Sequence, residues 1–226
     1  MEELIEFDYS KLDSAVVQQY LRRNSVVLIS NFVNDNYRIK SFIESLGVPL
    51  YESRNVDEGI IFEVKISKYK DCYQSKAQSS HKFELHTDCS DYMDVPNAVA
   101  LYCVNQSKIG GETYMLNVVK LIDSIGQEMF NDLTRIKWNF NGVKAEILSL
   151  DKCVRYNREI IEISHPICNK EDELLDYLDK MFSESAFVLK LKPRQMLIFR
   201  NDKYLHGRNS FTDDSNRLLK RIRFSL

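Results

Sequence analysis

Glycine and proline are scarce in this chain, with 7 and 4 among 226 residues. No stretch rich in either interrupts it, and no internal repeat or low-complexity tract is visible. Nothing therefore reads as a linker, and the length suits one domain spanning 1–226. Nowhere do about 18 apolar residues run together, so no membrane span is expected. The opening MEELIEFDYS is acidic and lacks a long apolar run, unlike a secretory leader. Charge of one sign is also lacking. Lys and Arg number 31 against 33 Asp and Glu, and the net charge of −2 gives no field favouring nucleic acid or an anionic membrane. The five cysteines, Cys72, Cys89, Cys103, Cys153 and Cys168, are odd in number, scattered and without a CxxC pair. That argues against a disulfide framework or zinc knuckle and for free thiols in a reducing, cytoplasmic setting.

What remains is ordinary globular composition, 44% hydrophobic and 28% charged. Helical periodicity covers Leu12–Arg22, with Val16, Val17 and Tyr20 on one face. SVVLISNF (Ser25–Phe32) reads as a buried strand. Asn34 or Asp35 caps a second helix that carries Ile39, Phe42, Ile43 and Leu46 and stops at Gly47. From Ile60 strand-like runs follow one another: IIFEVKIS, AVALYCV, ETYML, IKWNF, AEILSL, FVLKLK, QMLIF and LLKRIRFSL. Two helices interrupt them, over Val118–Leu133 and Glu171–Glu184. This order suggests a mainly β fold with flanking helices, a jelly roll or related barrel.

All four histidines, His81, His86, His165 and His206, fall in the strand-rich part. In FELHTDCSD, His86 and Asp88 are two apart, a spacing that on a strand puts both side chains on one face. Alone the pair is more often a hydrogen-bonded surface couple. His206 closes a second strand-like run and is followed by a turn. Two imidazoles and one carboxylate on one face of an octahedral metal leave three open positions, the facial arrangement of non-haem Fe(II) oxygenases. Structural zinc would ask for four closed ligands. A 2-oxoglutarate cosubstrate would need a fixed cation for its far carboxylate, and the planar fork of Arg suits this best. Arg217 and Arg221 follow His206 on the last strand-like run and, four apart, share a face. The alternative is a solvated basic strand with Lys220 and Arg223 as companions.

Four ordered pieces resemble the taurine dioxygenase and clavaminate synthase superfamily: HTD at His86–Asp88, GGET at Gly110–Thr113, LHGR at Leu205–Arg208 and NRLLKR at Asn216–Arg221. They span about the last two-thirds of the chain, and the long interval from Asp88 to His206 suits that family. The resemblance implies a distorted double-stranded β-helix with Fe(II) held by His86, Asp88 and His206. It further implies that Thr113 and Arg217 bind the distal carboxylate of 2-oxoglutarate, and that Arg221 faces an acidic group of the primary substrate. O2 and a small-molecule substrate complete the reaction, an oxidative decarboxylation to succinate coupled to hydroxylation of an unactivated C–H. Desaturation or cyclisation would use the same machinery. Retention of Asp88 disfavours halogenation. The family's Asp-Asn before the distal histidine reads Arg200-Asn201 here, and the chain is short for the family, which implies that the loops over the substrate are reduced or supplied by a partner chain.

Other residues invite weaker readings. Tyr92, Tyr102 or Tyr114 could wall the pocket, Thr113 could be only a β-branched strand residue, and Cys89 could line the site. Arg155 could reach a substrate or sit at a strand edge. His81 reads as a surface or lid residue and His165 as a strand-end histidine. Cys72–Lys82 reads as a mobile loop at the site mouth. Two rival functions are a catalytically silent β-barrel that binds metal or ligand, and a nucleic-acid demethylase. The net charge and the long interval before His206 speak against the demethylase. The sequence leaves the oligomeric state open.

Overall fold

The structure, a computed structural model, describes residues 4–66, 76–162, 169–212 and 216–226. Among these lie fourteen strands: β1 (Leu4–Asp8), β2 (Val26–Ser30), β3 (Val48–Pro49), β4 (Ile61–Val64), β5 (Phe83–His86), β6 (Ala98–Asn105), β7 (Thr113–Asn117), β8 (Trp138–Phe140), β9 (Val143–Ala145), β10 (Ile161–Glu162), β11 (Phe187–Leu189), β12 (Met196–Arg200), β13 (Tyr204–Arg208) and β14 (Leu218–Ser225). Five helices accompany them: α1 (Ser14–Arg22), α2 (Asn36–Leu46), α3 (Val118–Ile122), α4 (Gln127–Arg135) and α5 (Asn169–Ser185). The large sheet runs β1-β2-β12-β6-β14-β3, with β4 also paired to β14. A smaller sheet runs β11-β7-β13-β5, and β10-β8-β9 forms a third. This is the mainly β, jelly-roll arrangement with flanking helices that the strand count suggested.

The pleat decides what lies between the sheets. Along β6, Val99, Leu101 and Cys103 point inward, where they meet Leu197 and Phe199 of β12, Leu219 of β14 and Met115 of β7. The alternate residues Ala98, Ala100 and Tyr102 face outward onto α1 and α2, packing with Val17, Leu21, Ile39 and Ile43. On the far side of the small sheet, Tyr114, Leu116 and Leu205 pack against Trp138, Phe140 and the α5 residues Leu175, Leu178 and Phe182. The last strand follows the same rule. Ile222 and Phe224 join the helix-covered layer, so Arg221 and Arg223 must turn inward.

Several sequence expectations change at this level. Helix α1 begins where the Asp13 side chain accepts from the Ala15 N–H, and Asp35 caps α2 by accepting from the Arg38 N–H. Gly47 ends α2 as expected. The single helix expected over Val118–Leu133 is two, α3 and α4, parted at Asp123–Gly126, where Gly126 is the extended N-cap of α4. AEILSL is not a strand. The chain leaves β9 at Ala145, and Ile147 and Leu148 are buried as a loop in the α5-side core, with only an isolated bridge from Leu148 to Val154. β1, β3 and β10 were not foreseen; the run expected to close at His206 is β13, which continues to Arg208 and so has His206 at its centre. Cys72, His165 and Cys168 lie outside the described residues, as does the start of the 72–82 loop.

The alternation on β14 makes a separable prediction. Ile222→Ala removes an outward, fully buried side chain and is expected to cost about 2–5 kcal/mol. Chemical denaturation should show a lower midpoint with Fe(II) affinity at the wild-type value. A stability loss coupled to lost metal affinity would mean the two faces of β14 are not independent.

Candidate metal centre

Two cross-strand neighbours supply the imidazoles. His206 on β13 lies directly opposite His86 on β5, and its other neighbour is Met115 on β7. Facing residues in an antiparallel pair hold their Cβ atoms roughly 5 Å apart, and here the two rings have centroids 4.4 Å apart. Phe83 stacks on His86 at 3.9 Å, and Phe199 lies 5.0 Å from the His206 ring.

Asp88 reaches the same point by a different route from the one the spacing suggested. β5 ends at His86, so Asp88 is not a strand residue; it stands in a turn completed by Cys89, which takes a positive φ of 57°. The turn is pinned by Asn201. The Asp88 N–H donates to Asn201 Oδ1 at 2.9 Å, and Asn201 Nδ2 donates to the carbonyls of Asp88 (3.0 Å) and Pro96 (2.8 Å). Asn201, in the turn between β12 and β13, thus locks the carboxylate to the chain leading into His206. Arg200 contributes nothing to that lock: it pairs with its neighbour Asp202.

One nitrogen or oxygen from each of His86, Asp88 and His206 lies within 4.8 Å of the others. All three residues are at most 5% exposed. His86 Nδ1 faces the Glu84 carbonyl at 2.8 Å, which makes it the protonated nitrogen and leaves the Nε2 lone pair toward Asp88 Oδ1, 3.4 Å away. His86 Nε2 and His206 Nδ1 are buried with no hydrogen-bond partner among the described residues. Burial and the neighbouring His86 push the His206 imidazole down to about 3, so it is neutral at physiological pH. Two unmet imidazole nitrogens, that of His206 on a neutral ring, beside one carboxylate form a donor set that a divalent ion fits.

Burial by itself would raise the Asp88 pKa, but Arg221 and Arg223 outweigh it and hold the carboxyl well below the usual range. Arg221 Nη1 donates to Oδ1 at 3.0 Å, and Arg223 Nε donates to Oδ2 at 3.1 Å. Burial and the nearby Arg223 bring Arg221 down to about 10, so it stays charged. The basic-strand alternative for these residues therefore fails: Arg217, Arg221 and Arg223 are all buried, with Lys220 tucked against Asn34 and Asn36 on the other face.

A pocket beside the triad is lined by His86, His206, Thr113, Arg217 and Arg221, together with apolar Leu101 and Leu219. Two glycines make room. A Cβ on Gly111, at φ 74°, would lie 3.2 Å from the Arg217 side chain, and one on Gly207 would strike the Phe83 carbonyl and the Tyr114 ring at 2.6 Å. Arg208, unused in the sequence reading, is buried on β13 and donates to the carbonyls of Ala77 (3.3 Å), Ser79 (2.7 Å) and His81, tethering 76–81 over the site. His81 is exposed, and only its carbonyl takes part.

The other candidates fall elsewhere. Tyr102 points to the helix layer, where its hydroxyl meets the Phe32 carbonyl, and Tyr114 faces the outside of the small sheet. Tyr92 donates to Glu52 at 2.6 Å. Arg155 donates to the carbonyls of Tyr92 (3.0 Å) and Met93 (3.2 Å) and fixes that loop. Burial pushes the Cys89 thiol up to about 12, so it stays protonated, and Cys89, Cys103 and Cys153 are free. Glu52 and Arg223 are the residues that sequence reasoning missed.

With fold and geometry in hand, comparison with known proteins places the chain. Residues 2–168 match the model of the taurine catabolism dioxygenase TauD, TfdA family. The chain belongs to that family. The match ends before β13 and β14, so the placement of His206 and the arginines rests on the geometry above. A uridine-5'-phosphate dioxygenase from a Streptomyces species is 29% identical over a 139-residue alignment covering 52% of this chain and 51% of that protein. The chain thus spans about half the length of this curated relative. Among solved structures, asparagine oxygenase superposes with a TM-score of 0.74 at 17% identity, over 94% of this chain and 78% of that one. PvcB from Pseudomonas aeruginosa, an Fe, alpha-ketoglutarate dependent oxygenase from an isonitrile synthetic pathway, gives 0.76 at 16%, over 98% and 85%.

The buried neutral His206 sets a pH dependence. A base whose folded pKa lies near 3 against about 6.5 unfolded binds its proton more readily in the unfolded chain. Stability should therefore fall as pH drops below about 6.5, by up to about 1.4 kcal/mol per pH unit. Asp88, shifted downward, adds its loss only below its ordinary value of 3.8. Denaturation of chelator-treated protein between pH 6.5 and about 4.5 isolates the histidine, and His206→Gln should flatten that limb. A wild-type curve already flat there would contradict a neutral His206.

Proposed function

We propose that the chain is an Fe(II)- and 2-oxoglutarate-dependent dioxygenase acting on an unactivated C–H of a small polar substrate, such as an amino acid or specialised metabolite. The convergence of His86, Asp88 and His206 within 4.8 Å, buried and with unmet imidazole nitrogens, carries this reading. Family membership supports it, as do fold neighbours such as asparagine oxygenase, solved with Fe(II), 3-hydroxyasparagine and succinate. Iron bound there would present three open positions and couple reduction of O2 and decarboxylation of 2-oxoglutarate to oxidation of the substrate.

The chain's own part is binding, orientation and exclusion of water. His86, Asp88 and His206 hold the metal. Arg217 pairs with the distal carboxylate of 2-oxoglutarate and Thr113 donates its hydroxyl to it; both line the pocket beside the triad. Burial and the nearby Arg208 lower Arg217 to about 10, which keeps it cationic at neutral pH. Arg221 takes an acidic group on the primary substrate. It lines the same pocket, and its Nε is buried without a hydrogen-bond partner among the described residues. Leu101, Leu219 and the strap at 76–81 keep the pocket dry, which strengthens each charged contact. The chain forms a single catalytic domain, 1–226, of a cytoplasmic enzyme, in keeping with its three described free cysteines.

Purified protein with Fe(II), 2-oxoglutarate and O2 is expected to release succinate slowly without a primary substrate. His86→Ala should abolish this release. Arg217→Ala should weaken 2-oxoglutarate about ten- to a hundred-fold, in line with roughly 1.5–3 kcal/mol for a charge-assisted bond. Metal binding without any succinate would favour a silent ligand-binding barrel instead. For Arg221, independent titrations separate the roles: Arg221→Lys should weaken the primary substrate by a larger factor than it lowers uncoupled turnover, which it also touches through Asp88 Oδ1. A defect confined to 2-oxoglutarate would remove Arg221 from the substrate site.

A further inference from the structure

Three arginines of the terminal segment are buried, and the reading above uses only two. The third, Arg223, lies between two carboxylates. Its Nε donates to Asp88 Oδ2 at 3.1 Å, and its Nη1 donates to Glu52 Oε2 at 2.8 Å. Glu52 is itself fixed: its other oxygen accepts from Tyr92 Oη at 2.6 Å and from Arg54 Nη2 at 2.8 Å and Nε at 3.1 Å. A guanidinium is planar, so a fork pinned at both ends has a fixed plane. The side chains of Asp88, Glu52 and Arg223 are each at most 10% exposed.

The two oxygens of Asp88 are thereby made unlike. Oδ1 faces His86 Nε2 at 3.4 Å and accepts from Arg221, whose Nε has no partner among the described residues and which lines the pocket. Oδ2 is turned away to an arginine anchored from behind. We propose that Arg223, anchored by Glu52, is a positioning residue for the metal carboxylate, holding Asp88 Oδ2 so that Oδ1 alone is offered to the metal. This rests on the assignment of His86, Asp88 and His206 as metal ligands. It adds a tie from the metal carboxylate through β14 to the 51–55 and 90–93 loops, so that loop order and metal geometry are set together. It also gives the two inner arginines different jobs. A metal contests the oxygen that Arg221 holds and leaves the one that Arg223 holds alone.

The test is Mn(II) binding to the full chain, followed by the loss of the free-ion EPR signal. Wild type should bind one Mn(II) per chain. Arg223→Met should raise the Kd about ten- to a hundred-fold, as for other partners of metal ligands. Arg223→Lys, which reaches one carboxylate but not both, should lie between, and Glu52→Gln should raise the Kd by a smaller factor. At saturating Mn(II), each variant should bind 2-oxoglutarate within about twofold of wild type, and its Co(II) form should show an altered ligand-field spectrum because Asp88 has lost its fixed orientation. If Arg223→Met does not fold, the other two variants decide. Wild-type Mn(II) affinity and an unchanged Co(II) spectrum in folded Arg223→Lys and Glu52→Gln would overturn the proposal. So would equal losses of metal and 2-oxoglutarate, the mark of general damage. Failure of wild type itself to bind Mn(II) would instead strike at the ligand assignment.

Discussion

Placing the Asp88 carboxylate almost out of water constrains everything around it. An isolated buried carboxylate would take up a proton and lose its charge. Here two guanidiniums from one strand, Arg221 and Arg223, supply the opposing charge, and the Asn201 side chain fixes the backbone on either side. Removing one partner of a buried pair typically costs about 3–5 kcal/mol. The large sheet must therefore keep β14 in register between β6 and β4, with Arg221 opposite Leu101 and Phe62. A one-residue slip would turn both arginines toward the helices and Ile222 and Phe224 into the pocket.

The two sheets contribute different chemistry to the space between them. The small sheet brings the imidazoles and Thr113, on β5, β13 and β7. The large sheet brings the cations, on and just before β14. Imidazole nitrogens on one wall and fixed positive charge on the other suit a site that must hold both a metal ion and organic anions. The turn carrying Asp88 joins the walls, which explains why its carboxylate touches residues of both. Close approach is part of the same design: Gly207 lets Tyr114 lie against β13, and Gly111 leaves space for Arg217.

Much of this was legible in the sequence. The pleat rule put Arg217 and Arg221 on one face, and the alternation of AVALYCV and LLKRIRF matched the two cores. What failed did so for physical reasons. Residues 146–150 look like a strand because Ile147 and Leu148 are apolar, but burial does not require a ladder, and here they fill a loop. The run through YLHGR was expected to stop at His206 because Gly207 follows, but β13 continues through that glycine, which leaves room for the Tyr114 ring. The spacing of His86 and Asp88 pointed to their convergence through the wrong element, since a turn rather than a pleat brings them together. Arg223 looked like a solvated companion because its partner Glu52 is 171 positions away in the chain, and no local pattern signals such a pair.

Crystals grown anaerobically with Fe(II) and measured at the iron absorption edge bear most directly on the central claim. The account predicts one anomalous peak per chain, at roughly 2.0–2.2 Å from a nitrogen of His86, a nitrogen of His206 and one oxygen of Asp88. A peak elsewhere, or none between these three side chains at full iron loading, would contradict it.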